Sequence, residues 1–254
     1  MLLAIDVGNS TVNFGLFAGD SLSVTFRAET RERATPDEYW SFITSQMARS
    51  GVEPGEVKAT VISSVVPPLL HVFFEALKGM GGQSPLLVSP RLKLGIKIVY
   101  RTPETLGSDR LAAASGAYAL HGGPVIVLDF GTATTLTVVD AAGSLIGGAI
   151  APGLFTGYDA LTEQASGLHK AGLTFPKSAI GASTDEGLQS GIIFGHAGMV
   201  DGLVQRSREE IGANARVVAT GGLSGYVVPH MKGPVEVEPS LTLKGLAAIY
   251  ALNS

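Results

Sequence analysis

The 254-residue chain has no cysteine, which excludes disulfides and thiolate metal sites and leaves its redox compartment unreadable from cysteine usage. It also has no G-x-x-x-x-G-K-S/T, G-x-G-x-x-G or G-x-S-x-G segment, so any use of ATP proceeds without a P-loop or a Rossmann fingerprint. Charge is scarce, at 16% of residues, and there is no basic excess: 18 Lys and Arg against 22 Asp and Glu leave a net charge of −4. A general nucleic-acid or membrane-surface binder would carry a basic face, so neither partner is expected and small molecules are. The apolar stretch from Gly122 to Val139 is broken by Asp129 and by glycines, so no membrane span is expected, and no basic segment precedes Asp6. A cytoplasmic location is the resulting expectation. The five histidines, at 71, 121, 169, 196 and 230, have no metal-ligand spacing and read as core or surface residues. No low-complexity segment occurs.

What is present describes a globular chain: 45% hydrophobic residues and a mean hydropathy of +0.31, with enough length to bury a sizeable core. Its most informative feature is an internal repeat. Asp6-Val7-Gly8-Asn9-Ser10-Thr11 and Asp129-Phe130-Gly131-Thr132-Ala133-Thr134 share one pattern, and each follows an apolar run, Leu2–Ile5 or Val125–Leu128, that reads as a buried strand. Each copy continues into a second strand, Val12–Phe17 or Thr135–Val139, a turn and a third strand. An isolated D-x-G segment is most often a hairpin turn; two matched copies point to a two-lobed enzyme that handles phosphate. The glycines let backbone approach a ligand, the following small polar residues offer donors to phosphate oxygens, and carboxylates at strand ends suit a hydrated Mg²⁺.

Between the copies, helices are expected over Pro36–Arg49 with Thr35 as N-cap, over Pro67–Lys78, and over Pro103–Leu120 with an alanine-rich middle that permits close packing. Val57–Ser63 reads as a strand, and Pro85–Ser89 and Leu94–Ile98 as short extended segments. Gly122-Gly123-Pro124 marks the boundary between an N-terminal lobe, 1–121, and a C-terminal lobe, 122–254. In the second lobe, helices are expected over Thr156–Ala165, Thr184–Ile211 and Thr242–Leu252, and a strand over Arg216–Ala219. The long helix carries Gly187, Gly191, Gly195, Gly198 and Gly202 on one face. Each glycine costs roughly 0.8–1 kcal/mol relative to Ala, so the stripe needs a close helix, from this chain or a second copy, to offset it.

Gly107-Ser108-Asp109-Arg110 lies in the first half of the third helix. Adjacent helical residues point about 100° apart, so Asp109 and Arg110 can serve different partners. Arg110 could bind a carboxylate or phosphate bidentately, and Asp109 could take the proton of a hydroxyl attacking a γ-phosphoryl group. The alternative is an ordinary charged surface helix. Thr220-Gly221-Gly222 could let backbone approach a nucleotide base or ribose, or could be a simple turn.

With these segments and Gly147-Gly148-Ala149-Ile150-Ala151-Pro152-Gly153-Leu154 in this order, nearly the whole chain resembles the type III pantothenate kinases. That resemblance implies an α/β fold of duplicated actin-like (ribonuclease H-like) lobes, each a mixed sheet flanked by helices, closing around a nucleotide. It implies ATP-dependent phosphorylation of pantothenate, the first step of coenzyme A synthesis, by a homodimer requiring Mg²⁺ and a monovalent cation, K⁺ or NH₄⁺. By motif, Asp6, Val7, Gly8, Asn9, Ser10, Thr11, Val12 and Asn13 would cradle ATP phosphates, with Asp6 near Mg²⁺ through water and Thr132 adding a phosphate contact. Asp109 would be the catalytic base. Tyr100, Gly107, Ser108, Asp109, Arg110 and Thr184 would form the pantothenate pocket, Asp129 would hold the monovalent cation, and the glycine-striped helix would make the dimer. Ser10 replaces the more usual Thr, Ser108 the usual Ala, and Thr102 stands where Asn is frequent. The alternatives are a kinase of the same fold acting on a sugar or other small hydroxyl compound, an ATP-binding regulatory homologue without turnover, and an actin-like filament, which the short chain disfavours.

Overall fold

The Leu2–Val7 run, apolar except for Asp6, forms strand β1 and buries five of its six residues. Such a strand needs neighbours along both edges and cover on both faces. In the computed structural model, which describes residues 1–170 and 172–254, β1 pairs antiparallel with β2 (Thr11–Ala18) and parallel with β4 (Ala59–Ser64). Strands β3 (Ser21–Glu29) and β5 (Leu86–Leu87) complete the order β3-β2-β1-β4-β5. Helices α1 (Pro36–Arg49) and α2 (Pro67–Ala76) contribute Tyr39, Ile43, Met47, Leu69 and Phe73 to one core with Leu3, Ile5, Phe14 and Leu16. The expected start of α1 is a full capping box: Glu38 N–H donates to Thr35 Oγ1 at 3.3 Å and Thr35 N–H to Glu38 Oε2 at 2.7 Å.

The chain divides into two compact units, Met1–Leu120 with Ser240–Ser254, and His121–Pro239. This differs from the expected assignment of all of 122–254 to the second lobe. The closing helix α7 (Leu241–Asn253) returns to the first unit and packs on β1, β2 and β4, with Leu241, Leu246 and Ile249 fully buried. Its partner is α3 (Ser108–His121), whose Ala112, Ala114 and Ala117 are fully buried. The two helices meet backbone to backbone, because a Cβ on Gly245 would run into the Ala112 carbonyl and one on Gly116 would lie 2.8 Å from the Leu241 carbonyl oxygen. The alanine-rich stretch of α3 therefore permits the close packing read from its composition. The helix expected from Pro103 is instead a short 3₁₀ turn, Pro103–Thr105, followed by α3 from Ser108, so Asp109 sits in a first helical turn. A short strand β6 (Lys97–Ile98) precedes this turn.

The second unit repeats the topology. Strands β7 (Val125–Phe130), β8 (Ala133–Val139) and β9 (Ser144–Pro152) form an antiparallel meander, and β7 runs parallel to β10 (Arg216–Thr220), which pairs with β11 (Glu236–Val237). The five strands of this unit follow the order β11-β10-β7-β8-β9, the counterpart of β5-β4-β1-β2-β3. Helices α4 (Leu154–Gln164), α5 (Thr184–Ile211) and α6 (Ser224–Val227) complete the unit.

Ile193, Ala197, Val200 and Val204 of α5 are buried. Gly191, Gly195, Gly198 and Gly202 are each offset from one of these by two residues, about 200° around the helix, and lie on the opposite side. All five stripe glycines are exposed, and among the described residues nothing lies within 4 Å of a Cβ built on any of them.

Candidate active site

The parallel register of β1 and β4 sets Asp6 beside Ser63, and the antiparallel register of β1 and β2 sets it beside Asn13. The side chains use this placement: Ser63 Oγ donates to Asp6 Oδ1 at 2.6 Å, and Asn13 Nδ2 donates to Oδ2 at 3.4 Å. Asp6 is only 9% exposed. Burial pushes its carboxyl up from 3.8 to about 6; the Ser63 hydrogen bond opposes this, the Asp109 charge adds to it, and Asn13 opposes it. Asp6 is thus a buried acid whose two oxygens each take one side-chain donor and keep capacity for a metal-bound water.

Asp109 is brought to the same place by Ser108. The Ser108 hydroxyl donates to the Ser64 carbonyl at 3.0 Å and accepts the Ser64 N–H at 2.9 Å, fastening the start of α3 to the end of β4. Asp109 Oδ1 accepts the Arg110 N–H at 2.7 Å, so the carboxylate folds back over the helix start. Gly107 leaves the space for it: a Cβ there would run into that carboxylate. Burial raises the Asp109 carboxyl above the ordinary carboxylate value, against the lowering effects of the Arg110 N–H and the Arg110 charge. The weakness of an ordinary aspartate as a base is reduced accordingly. Ser108, where the family pattern usually has Ala, spends its donor on Ser64. Tyr100, half-buried between β6 and the 3₁₀ turn, has no hydrogen bond to Asp6 or Asp109.

In the second unit Asp129 holds the position on β7 that Asp6 holds on β1, opposite Thr135 on β8 and Thr220 on β10. The Thr220-Gly221-Gly222 turn uses its first glycine for a close approach within the chain. Gly221 has φ +90°, and a Cβ there would run into the Asp129 carboxylate and lie 2.6 Å from the Phe130 nitrogen. Thr132 lies on the turn after β7, where Gly153 N–H donates to its carbonyl at 3.0 Å and Thr156 Oγ1 donates to the same oxygen at 2.6 Å. Beyond the turn, Thr134 Oγ1 and His196 Nε2 are 2.9 Å apart. Thr184 is the exposed first residue of α5.

The two D-x-G hairpins differ in length. Four residues, 8–11, separate the paired Val7 and Val12, and three, 131–133, separate Phe130 and Thr134. Accordingly Gly8 N–H donates to the Thr11 carbonyl and Gly131 N–H to the Ala133 carbonyl, each at 3.0 Å. The six-residue match therefore holds only through the glycine, and the first loop has one extra residue with which to surround a ligand.

Sequence reasoning missed Ser63, Ser64 and Thr156. The parallel pairing of β1 with β4 could have pointed to Ser63, since each strand has a polar residue next to its last position, but one-dimensional patterning does not state which ends align. Among the described residues no three His, Asp or Glu side chains gather at ligand distance, and no helix is long and apolar enough to cross a membrane. A divalent ion at Asp6 would therefore rely on water and substrate oxygens, the coordination that suits Mg²⁺.

Known proteins match this chain along its whole length. The family model described as Type III pantothenate kinase matches residues 2–206. A protein named Type III pantothenate kinase from Moorella thermoacetica is 40% identical over 254 residues, covering 100% of both chains. One of the same name from Thermomicrobium roseum is 42% identical over 250 residues, covering 98% of this chain and 96% of the relative. Among solved structures, one named as a Baf family transcriptional activator from Campylobacter jejuni superposes with a TM-score of 0.63 at 19% identity, covering 99% and 98% of the two chains. Component A of the (R)-2-hydroxyglutaryl-CoA dehydratase of Acidaminococcus fermentans does so with a TM-score of 0.59 at 14% identity, covering 100% and 96%. These likenesses show the fold, the duplicated actin-like α/β architecture expected from the sequence.

Proposed function

We propose a catalytic reading from one premise: the chain belongs to the type III pantothenate kinase family, and it phosphorylates pantothenate with ATP in coenzyme A biosynthesis. As a kinase it uses ATP with a divalent metal. The observation that carries the residue assignments is the pair Asp6 and Asp109, both raised in pKa by burial and close enough for the charge of Asp109 to act on Asp6. Asp109 takes the proton of the primary hydroxyl as that oxygen bonds to the γ-phosphorus; the bond from phosphorus to the ADP oxygen breaks, and the proton then passes to solvent. A loose transition state asks little of the base, so orientation of the hydroxyl is the larger contribution. Asp6, held by Ser63 and Asn13, orients water on the metal side. The metal ion, when bound with ATP, neutralises charge on the phosphate oxygens.

The stretch Asp6–Asn13 cradles the ATP phosphates in this reading, Thr132 adds a phosphate contact, and Asp129 holds the monovalent cation, K⁺ or NH₄⁺. Arg110 binds the pantothenate carboxylate bidentately, with Tyr100, Gly107, Ser108 and Thr184 lining the pocket. Ser108 contributes there through its backbone, since its hydroxyl donor is spent on Ser64. The reading includes a homodimer through the exposed glycine face of α5 and a cytoplasmic location.

The test is ADP release from purified protein with MgATP and pantothenate, in K⁺ and in Na⁺, beside a panel of sugars. Pantothenate-dependent turnover that rises in K⁺ is expected, and Asp109→Asn should abolish it while ATP binding persists. Turnover only with a sugar would replace the substrate, wild-type rates in Asp109→Asn would remove the base, and ATP binding without turnover would leave a regulatory homologue.

A further inference from the structure

Thr30, immediately after β3, closes on the first phosphate loop from behind. Its N–H donates to the Ser10 carbonyl at 3.0 Å and its hydroxyl to the Gly8 carbonyl at 2.6 Å. One residue thereby fixes two of the carbonyls within the turn of residues 8–11. The second unit builds the same support from other residues. Thr11 pairs with Glu29 and Ala133 with Pro152, so Gly153 is the counterpart of Thr30, and its N–H donates to the Thr132 carbonyl at 3.0 Å. Glycine has no hydroxyl, and no side chain fits at 153, where a Cβ would run into the Gly131 and Thr132 carbonyls. The hydroxyl comes instead from Thr156, in the first turn of α4, which donates to the Thr132 carbonyl at 2.6 Å. In each unit a backbone N–H and a threonine hydroxyl hold the loop.

In a trans peptide the carbonyl and the N–H that follows it point in opposite directions. Fixing the Gly8 and Ser10 carbonyls toward Thr30 turns the Asn9 and Thr11 N–H groups away from it, and fixing the Thr132 carbonyl does the same for the Ala133 N–H. Backbone N–H groups aligned on one side of a turn make an anion-binding concavity, and its strength depends on their being held before the anion arrives. We infer that Thr30 is a positioning residue that aims the N–H donors of loop 8–11 at the nucleotide phosphates, and that Thr156 does so for the turn at Thr132. The inference rests on the kinase reading and goes beyond it, since neither residue belongs to a D-x-G segment.

The test compares Thr30→Val, which keeps the branched shape and the N–H but loses the hydroxyl, with Thr30→Ser, which keeps the hydroxyl. Binding of a non-hydrolysable MgATP analogue is measured by calorimetry, and KM for each substrate by ADP release. Loss of one aimed hydrogen bond should weaken analogue binding and raise KM for ATP about fivefold to tenfold in Thr30→Val. KM for pantothenate should hold, the melting midpoint should fall by no more than the few degrees that one lost hydrogen bond costs, and Thr30→Ser should restore nucleotide binding. A purely structural hydroxyl would lower the melting midpoint and leave the KM for ATP of the folded fraction unchanged, which would overturn the inference. So would wild-type analogue affinity in Thr30→Val, or failure of Thr30→Ser to rescue it. Analogue binding to wild type without turnover of pantothenate would sink the substrate reading and still test the loop, whereas no analogue binding to wild type would overturn both.

Discussion

Replacing Asp6 with Asn should stabilise the protein while disabling it, and the gain should depend on pH in a defined direction. The Asp6 carboxyl rises from 3.8 to about 6 on folding, chiefly through burial. Between these values the folded state holds a proton that the unfolded chain has released. Stability contributed by the group is therefore fully present below about pH 4 and is lost as pH rises through about 6. A shift of roughly two units corresponds to about 3 kcal/mol, the cost at pH 8 of keeping the carboxylate ionised in its buried setting. Asn has the same shape, can accept from Ser63 Oγ, and carries no charge to repel Asp109. In urea denaturation without metal or nucleotide, the stability of Asp6→Asn minus that of wild type should grow by about 2 kcal/mol between pH 4.5 and pH 8, the first third of the shift lying below pH 4.5. A difference that does not change with pH, or one that favours wild type as pH rises, would refute the burial argument. Asp109→Asn should lower the Asp6 pKa by removing the neighbouring charge, shifting the whole transition to lower pH.

Two other perturbations test the supports of the site. Ser108→Ala removes both bonds to the Ser64 backbone and should cost about 1–2 kcal/mol in denaturant unfolding. Turnover should stay within a few-fold of wild type, because Ala is the usual family residue there; a collapse of kcat would show that the hydroxyl acts in the reaction. Substituting Leu at Gly191 and Gly195 together should convert a dimer to monomers in sedimentation if their face is an interface. If that face is solvated, Ala at the same positions should instead stabilise the helix by roughly 0.8–1 kcal/mol each, with no change in mass.

The sequence made the strand scaffold legible because both D-x-G segments follow uniformly apolar runs, and such runs form strands buried on both faces. It made α1 legible to the residue through Thr35, Pro36 and Glu38, whose capping chemistry is local. The start of α3 was less legible: Pro103 signals a helix start, yet Leu106-Gly107 interrupts it, and the cause is tertiary, since Ser108 is tied to Ser64, 44 residues away. The return of α7 to the first unit was hidden for the same reason. Its apolar face fits either lobe by pattern, and the fit of Gly245 against Ala112 that decides the matter is a contact between distant segments. Within the site, Asp6 and Asp109 were readable from motif, whereas Ser63, Thr30 and Thr156 were not, because each acts through a partner fixed only by strand register or loop closure.

That distinction bears on how a duplicated scaffold comes to surround the same acid differently in its two halves. Asp6 and Asp129 occupy the same place on equivalent strands, each next to the strand's last residue, and each faces one residue across the antiparallel ladder and one across the parallel ladder. For Asp6 these are Asn13 and Ser63, both of which donate to it, and the start of α3 adds the charge of Asp109. For Asp129 they are Thr135 and Thr220, with the Gly221 backbone pressed against the carboxylate where a side chain would collide. The first setting raises the pKa of an acid and leaves its oxygens room for a hydrated divalent ion. The second brings main chain against a carboxylate at a point where no side chain fits. The backbone repeat thus places an acid twice, and the two or three residues facing each acid decide its setting.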